Sequence, residues 1–334
     1  MPETRSVRAR SALPRFAITQ ESIVLLIAVV FFLIFAAVLP GFLAADNLLS
    51  LLQNVSILGI LGVAMGIVVI GRGIDLAMVT TMAMSTAWTI ALMNAGTAAL
   101  PSVLAGLGFA AAVGLINGFL VAYVEVPAIF ATLAMSTVIY GFGRLFLVDL
   151  DVLYLPADAG WLRALSGSVL GIPLPVVWFA IVALAAFAFL RFTRAGRYIF
   201  AMGDNREAAR ITGIPVRPMA MLQYLISSVI AFAAGMITAS LLATVNIRVA
   251  QSTMVYDVIL VVVLGGIGLS GGRGGVRNVI VGTLLIGILL NGMTILDMSF
   301  TVQNLVKGAV LLLAIIVDSI ANPRDEQTAQ QGDI

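Results

Sequence analysis

The 334-residue chain contains no cysteine and no histidine. The lack of cysteine excludes a disulfide scaffold and a thiol nucleophile, and the lack of both residues excludes a Cys/His zinc site. Without histidine, the most common general acid–base side chain is missing as well. We therefore expect neither a metal site nor a bound cofactor on this chain, and an enzyme is the least favoured class of function.

Lysine is almost absent too. Of the 18 basic residues only Lys307 is a lysine, and Gly308 follows it. A Walker A motif requires Gly-Lys-Ser/Thr with a further glycine at a fixed spacing. Because that motif is absent, the chain does not hydrolyse ATP through a P-loop of its own. The arginines are not arranged as a nucleic-acid-binding patch, and we expect no nucleic-acid partner.

Charge of either sign is scarce. Charged residues make up 10% of the chain and hydrophobic residues 61%, where a soluble domain has about 25% and about 45–50%. The mean hydropathy is +1.12. A soluble protein of this composition could not cover its surface with polar groups, so the chain is predicted to be an integral membrane protein.

Ten apolar runs approach the length that a membrane-spanning helix needs. They lie near residues 21–39, 48–70, 75–94, 101–123, 127–148, 173–190, 219–243, 254–269, 277–297 and 300–320. The breaks between them carry the glycine, proline and asparagine residues typical of turns. We expect an all-α membrane protein with about ten transmembrane helices and an uncleaved first helix.

The arginines set the orientation of these spans. Alternating spans from a cytoplasmic amino terminus puts most arginines on the cytoplasmic side, as the positive-inside rule requires, and an even count places both termini there. Residues 1–20 then form a cytoplasmic segment, residues 21–320 the transmembrane domain and residues 321–334 a cytoplasmic tail. The domain includes a cytoplasmic loop at 191–218 and an outer loop at 149–172.

A faint internal repeat divides the transmembrane domain. Shifting the sequence by 174 residues (291 − 117) superposes Asn117-Gly118 on Asn291-Gly292 and spans 2–5 on spans 7–10. Five spans separate equivalent helices, so the two halves have opposite orientations. Inverted repeats of this kind are typical of transporters, with the pathway at the repeat interface.

The cytoplasmic loop 191–218 predicts a short surface helix. Asp204 is a candidate helix cap, Glu207 lies at capping-box spacing from it, and Gly213 supplies a stop. A helix this short cannot cross a bilayer. We expect it to dock through Met202, Ala208 and Ile211 and to offer Arg206, Glu207 and Arg210 for pairing. A solvated connector that only enforces topology is the alternative.

The string Glu207-Ala208-Ala209, followed after three residues by Gly213, resembles the EAA–Gly loop of ABC importer permeases. In that family the loop docks onto a separate ATPase subunit. The resemblance implies that the ATPase-coupling loop of this chain contains Gly203, Asp204, Glu207, Ala208, Ala209, Arg210 and Gly213.

Further motifs between residues 45 and 320 are similar to the sugar permeases of the second carbohydrate-uptake class of ABC importers, which carry ribose, xylose, galactose and related sugars. They are Gly73-Ile74-Asp75-Leu76, Val262-Val263-Leu264-Gly265-Gly266, Ser270-Gly271-Gly272-Arg273-Gly274 and Val306-Lys307-Gly308-Ala309-Val310. The family usually has Gly where Arg72 stands, Ser at Ala77 and Glu at Val255.

This resemblance implies a multi-pass permease subunit in the lipid of the bacterial inner membrane. A second permease subunit, identical or homologous, would complete the path. ATP would be used by the partner ATPase, and a periplasmic binding protein would deliver a monosaccharide. Asp149, Asp151 and Asp158 of the outer loop would contact that binding protein.

Three charged groups lie in or beside apolar spans, where an ionisable side chain is costly and usually has a partner. We expect Asp257 and Lys307 to approach each other, with a structural pair favoured over a transport role. Asp75 is expected to cap the next helix or to pair with Arg72, and capping is favoured. An ion-coupled secondary transporter that uses Asp75 or Asp257 is the alternative function.

Three asparagines, Asn54, Asn117 and Asn291, lie within the predicted spans. Each would either hydrogen-bond a neighbouring helix or line the translocation path. Helix packing is favoured for all three.

Overall fold

A computed structural model describes residues 20–157 and 159–321. Almost all of the predicted amino-terminal segment and carboxy-terminal tail, together with Asp158, lies outside the described residues. The described helices are α1 (Gln20–Val38), α2 (Ala45–Ile70), α3 (Met78–Asn94), α4 (Ala99–Ala122), α5 (Ala128–Phe146), α6 (Gly160–Arg163), α7 (Leu174–Phe192), α8 (Arg194–Asp204), α9 (Arg206–Ile211), α10 (Val216–Leu242), α11 (Met254–Leu264), α12 (Val276–Ile295) and α13 (Phe300–Ala321).

The described strands are very short and lie in two-stranded pairs. They are β1 (Val152–Tyr154), β2 (Ser168–Val169), β3 (Ile172–Pro173) and β4 (Thr244–Asn246), with β1 pairing antiparallel to β4 and β2 to β3. Two 3-10 turns cover Ala164–Ser166 and Ile247–Gln251. The prediction of an all-α membrane protein is confirmed.

Each of the ten apolar runs contains a helix. Seven of the described helices, α1, α2, α4, α5, α7, α10 and α12, are long and apolar enough to cross a membrane. The predicted eighth span at 254–269 was too long, because α11 ends at Leu264 and Gly266 adopts a φ of +94°. Its 11 residues rise about 16 Å, roughly half of a bilayer core. At 17 residues, α3 is also short.

The packing of the helices follows the predicted inverted repeat. α2 packs against α10 at the centre, α2 also contacts α11 and α12, and α10 also contacts α3 and α4. The repeat makes α3 and α11 equivalent, so the two short helices occupy corresponding positions in the two halves. Short or interrupted helices at corresponding positions mark the binding region in inverted-repeat transporters.

The centre of the protein is the second half of α2, where every side chain from Val55 to Ile70 is buried. By contrast α1, α5 and α13 expose large apolar side chains such as Leu26, Leu145 and Leu313. Exposed apolar surface on this scale requires a lipid environment, because lipid keeps these side chains out of water as the protein interior does for α2.

Glycines allow α4 to lie directly on α10. A Cβ atom on Gly114 would be 2.7 Å from the carbonyl oxygen of Tyr224, and one on Gly118 would be 2.6 Å from the Cα of Met221. These two glycines have the GxxxG spacing that permits close helix approach. Here the spacing is used within one chain.

At the outer face, Asp151 joins the two halves of the repeat. Its carboxylate lies 3.4 Å from the Arg144 guanidinium and 2.6 Å from that of Arg248. These ion pairs lie beside the register pair Leu153 and Val245 of strands β1 and β4. Asp151 is therefore engaged within the chain, and contact of Asp149 and Asp151 with a binding protein stays a prediction.

Candidate functional site

The predicted cytoplasmic loop 191–218 contains two short helices. The Thr193 hydroxyl accepts a hydrogen bond from the Gly196 amide at 3.0 Å and begins α8. The Asn205 side chain accepts one from the Ala208 amide at 2.9 Å and begins α9. The prediction that Asp204 caps this helix was wrong by one residue: Asp204 ends α8, and Asn205 has the extended backbone of a cap.

Gly213 ends α9 as predicted. Its φ is +84°, its amide donates to the Arg210 carbonyl, and the Ile214 amide donates to the Ala209 carbonyl. This pair of hydrogen bonds is a Schellman motif, which requires the left-handed conformation that glycine adopts without strain.

Most of α9 faces solvent. Ala209 is its buried residue, packed with Ala122, Met202, Val216 and Ala220. Met202 is buried in this cluster, whereas Ala208 is exposed and Ile211 is 84% exposed, so these two do not dock onto the described chain and their docking onto a partner stays a prediction. The orientation of α9 places Ala209, and not Ala208, against the rest of the chain. The exposed face presents Arg206, Glu207, Ala208, Arg210 and Ile211.

The end of α8 touches the end of α2 through backbone. Gly203 lies against the Ile70 carbonyl and the Gly272 amide so closely that a Cβ would not fit. The Gly272 amide donates to the Ile70 carbonyl at 2.8 Å. Helix α8 is thus in contact with both central α2 and the loop that follows α11.

Arg72 reinforces this junction. Its Nε donates to the Ser270 carbonyl at 2.6 Å and an Nη donates to the Asp204 carbonyl at 3.3 Å. Its φ is +64°, a left-handed conformation that glycine adopts with less strain than arginine. In this chain the arginine at this position links the segment after α2 to the end of α8 and to the loop at Ser270.

Asp75 lies beside this junction and is fully buried. Ser227 of α10 donates to its Oδ2 at 2.7 Å, and the Ala77 amide donates to its Oδ1 at 3.2 Å. The expected pairing with Arg72 was wrong, since Arg72 points to the two carbonyls described above. The favoured capping is only partly realised, because Asp75 accepts from the amide of Ala77 just before α3, and α3 itself has no side-chain hydrogen bond at its cap.

Asp257 and Lys307 form the expected pair. The Lys307 Nζ lies 2.9 Å from Oδ1 and 3.1 Å from Oδ2 of Asp257, and it also donates to the Thr253 hydroxyl at 3.3 Å. Both charged residues are buried, with 9% and 6% exposure. The pair joins α13 to the first turn of short helix α11.

The three asparagines of the predicted spans differ in their burial and in their hydrogen-bond partners. Asn291 exchanges two hydrogen bonds with Asn47, at 2.9 and 3.1 Å, and so joins α12 to the start of α2. Asn117 is fully buried, and both of its amide atoms lack a partner among the described residues. Asn54 is exposed on the surface of the chain.

A polar contact that joins α3 to α5 and to the 3-10 turn before α11 was missed from sequence. The Thr80 hydroxyl of α3 lies 2.6 Å from the Ser136 hydroxyl of α5 and donates to the Ala250 carbonyl at 3.3 Å. Ala250 precedes α11, so this contact lies where the two halves meet. The available signal was the run of threonines and serines in α3, namely Thr80, Thr81, Ser85, Thr86 and Thr89.

Comparison with known proteins identifies the family. Residues 47–315 match the family described as "Branched-chain amino acid transport system / permease component". The ribose import permease protein RbsC of Escherichia coli K12 is 34% identical over 304 residues, which are 90% of this chain and 93% of the relative. The corresponding protein of Haemophilus influenzae is 32% identical over 91% and 94%.

A relative named for another sugar, the L-arabinose ABC transporter permease protein AraH of Azospirillum brasilense, is 29% identical over 95% of this chain and 93% of its own. No solved structure matches the chain. The comparisons do not favour the ion-coupled alternative. With the family matched over most of its length, the chain belongs to this family of transport-system permease components and is a multi-pass protein of the bacterial inner membrane.

Proposed function

We propose that the chain is the membrane-spanning subunit of an ATP-driven importer for a monosaccharide, a ribose-like pentose or a related sugar. The relatives named for ribose and for L-arabinose support this substrate class. The single observation that supports an ATP-driven mechanism best is the exposed face of α9, a charged and apolar surface connected through backbone to central α2.

The exposed face of α9 is suited to a protein partner. Glu207 lies between Arg206 and Arg210, and neither arginine forms an ion pair with it within the described part of the chain. Ile211 adds an apolar side chain that is 84% exposed next to these charges. Charges that surround an apolar anchor provide both orientation and affinity in a protein interface. We assign this face to the separate ATPase subunit.

Motion of that subunit would reach the transmembrane helices through α8. Because Gly203 is in backbone contact with Ile70, a displacement of α8 moves the end of α2 without passing through flexible side chains. The Arg72 hydrogen bonds carry the same displacement to the loop at Ser270. A close-packed interior transmits such shifts with little loss.

The sugar path is proposed to run beside the short helices α3 and α11. Thr80, Ser136 and the Ala250 carbonyl supply hydroxyl and carbonyl groups where the halves meet. Neutral groups of this kind exchange hydrogen bonds with sugar hydroxyls without holding the sugar tightly. Asn117, whose buried amide lacks a protein partner in the described chain, is a further candidate for the path.

The remaining assignments follow from this role. ATP is bound and hydrolysed by the partner subunit, and the chain itself has no ATPase site and carries no cofactor. A second permease subunit completes the path, and a periplasmic binding protein docks on the outer face near Asp149. No nucleic acid is involved.

The test compares two charge reversals on the cytoplasmic face. In proteoliposomes that contain the complete importer, Glu207→Lys should raise the ATP hydrolysed per sugar imported by about tenfold, through loss of an interfacial charge contact. Arg194→Glu is the control, because Arg194 is also exposed and charged but is the first residue of α8, at the opposite end of that helix from α9. Unchanged coupling in Glu207→Lys with the protein normally inserted would contradict the proposed docking role.

A further inference from the structure

A cavity of about 560 Å³ opens at the predicted cytoplasmic end of the helix bundle, and none of its lining residues belongs to α9. Its walls come from the start of α1, the end of α7, the middle of α8 and the start of α12. This volume is within the range of small-molecule sites, about 300–1,000 Å³. Its lining shares no residue with the α9 face, with the contact between α8 and α2, or with the short helices α3 and α11.

Three arginines line this cavity, Arg191 of α7, Arg197 of α8 and Arg277 of α12, together with one acid, Glu21 of α1. None of these four side chains forms an ion pair within the described part of the chain. Converging like charges raise each other's energy unless an anion joins them. The described lining therefore has a net positive charge, with three arginines against one glutamate.

The cavity also has an apolar wall. Phe187, Leu190 and Phe200 line it beside the arginines. Phe187 lies one helical turn before Arg191, so the two share a face of α7, and the exposed Leu184 continues that face into the membrane. The apolar surface is thus continuous with the lipid-facing side of α7, while the guanidinium groups lie at its cytoplasmic end.

We propose that this cavity binds the headgroup of an anionic phospholipid from the cytoplasmic leaflet. The three guanidinium groups would hold the phosphate, a pairing in which arginine forms two parallel hydrogen bonds, and the acyl chains would follow the exposed face of α7. Basic pockets between transmembrane helices on the cytoplasmic side are suited to such headgroups. The continuous apolar wall favours a lipid over a free phosphate ion, which needs no such surface.

Native mass spectrometry of the complete importer tests this assignment. After exchange into detergent with equal amounts of phosphatidylglycerol and phosphatidylcholine, the unmodified protein should retain about tenfold more of the anionic lipid. Arg191→Gln/Arg277→Gln should lose most of this preference, whereas Arg191→Lys/Arg277→Lys should keep a large part of it. Arg194→Gln/Arg273→Gln, which removes equal charge from exposed positions outside the cavity, should retain all of it.

Two results would overturn the proposal. One is equal retention of phosphatidylglycerol in the unmodified protein and the Arg191→Gln/Arg277→Gln variant, provided that both are assembled. The other is displacement of the lipid by millimolar inorganic phosphate, which would show a free-anion site. Retained lipid in the presence of phosphate supports the proposal.

Discussion

The ammonium group of Lys307 lies 2.9 Å from the carboxylate of Asp257, and both are buried among apolar helices. The contact joins α13 to short α11, whose 11 residues cannot cross the bilayer alone. A buried ion pair is costly to break, because the remaining charge is left without a partner. Removal of either charge should therefore destabilise the protein.

Asp257→Asn should lower the stability of the protein by about 3 kcal/mol, because it leaves the Lys307 ammonium buried and uncompensated. Thermal unfolding in detergent measures the loss. Asp257→Asn/Lys307→Met should recover most of it, since no charge remains. A stable double variant that imports sugar would establish a structural pair, whereas a stable double variant that cannot import would assign the pair to transport. Full sugar uptake and normal expression of Asp257→Asn alone would contradict both a structural role and a transport role for the pair.

Gly114→Ala should destabilise the contact between α4 and α10 by about 1–3 kcal/mol, because the new Cβ would meet the Tyr224 carbonyl at 2.7 Å. Gly108→Ala on the same helix is the control, since no atom lies within 4 Å of its Cβ position. There the higher helix propensity of alanine should leave stability unchanged or slightly raised. Equal melting temperatures for the two variants would contradict the packing described.

Arg72→Gly should change stability by less than about 1 kcal/mol. Glycine relieves the left-handed backbone at φ +64°, worth about 1–2 kcal/mol, and this gain offsets the two lost hydrogen bonds, each worth about 0.5–1.5 kcal/mol. Arg72→Val loses the hydrogen bonds and keeps the strain, so it should unfold at a clearly lower temperature. If both variants unfold together, the backbone conformation at residue 72 is not left-handed.

Asn205→Ala should weaken α9 by about 1 kcal/mol, because the Ala208 amide loses its acceptor. Hydrogen exchange of the α9 amides should become faster by about fivefold. Asp204→Ala should leave these rates unchanged, since Asp204 is the last residue of α8. Faster exchange in Asp204→Ala than in Asn205→Ala would restore the capping box predicted from sequence.

Properties that depend on local chain chemistry could be predicted from the sequence. The ten apolar runs, the stop at Gly213 and the pairing of Asp257 with Lys307 follow from hydrophobicity, glycine conformation and the cost of an isolated charge. The orientation of α9 could not be predicted, because the choice between Ala208 and Ala209 as the buried residue depends on the packing of α8 and α10.

The polar contacts between helices could not be predicted either, because they also depend on how the helices pack. A threonine in a helix can satisfy its hydroxyl with the carbonyl four residues earlier, as Thr81 does with Ala77 at 2.8 Å. Thr80 is the same residue type and is adjacent to Thr81 in the same helix, yet its hydroxyl contacts Ser136 instead. Only the tertiary arrangement separates the two, and the same holds for the partnership of Asn291 with Asn47.

The proposed covering of the exposed α9 face by a separate ATPase subunit can be tested by labelling, because the chain contains no cysteine. Ile211→Cys places a single thiol at a position that is 84% exposed, and Leu170→Cys, at a position 97% exposed in the outer loop, is the control. With the ATPase subunit bound, maleimide labelling should slow by about tenfold or more at residue 211 and stay unchanged at residue 170, because an interface centre excludes water. Equally fast labelling of residue 211 with and without the bound ATPase would contradict the account.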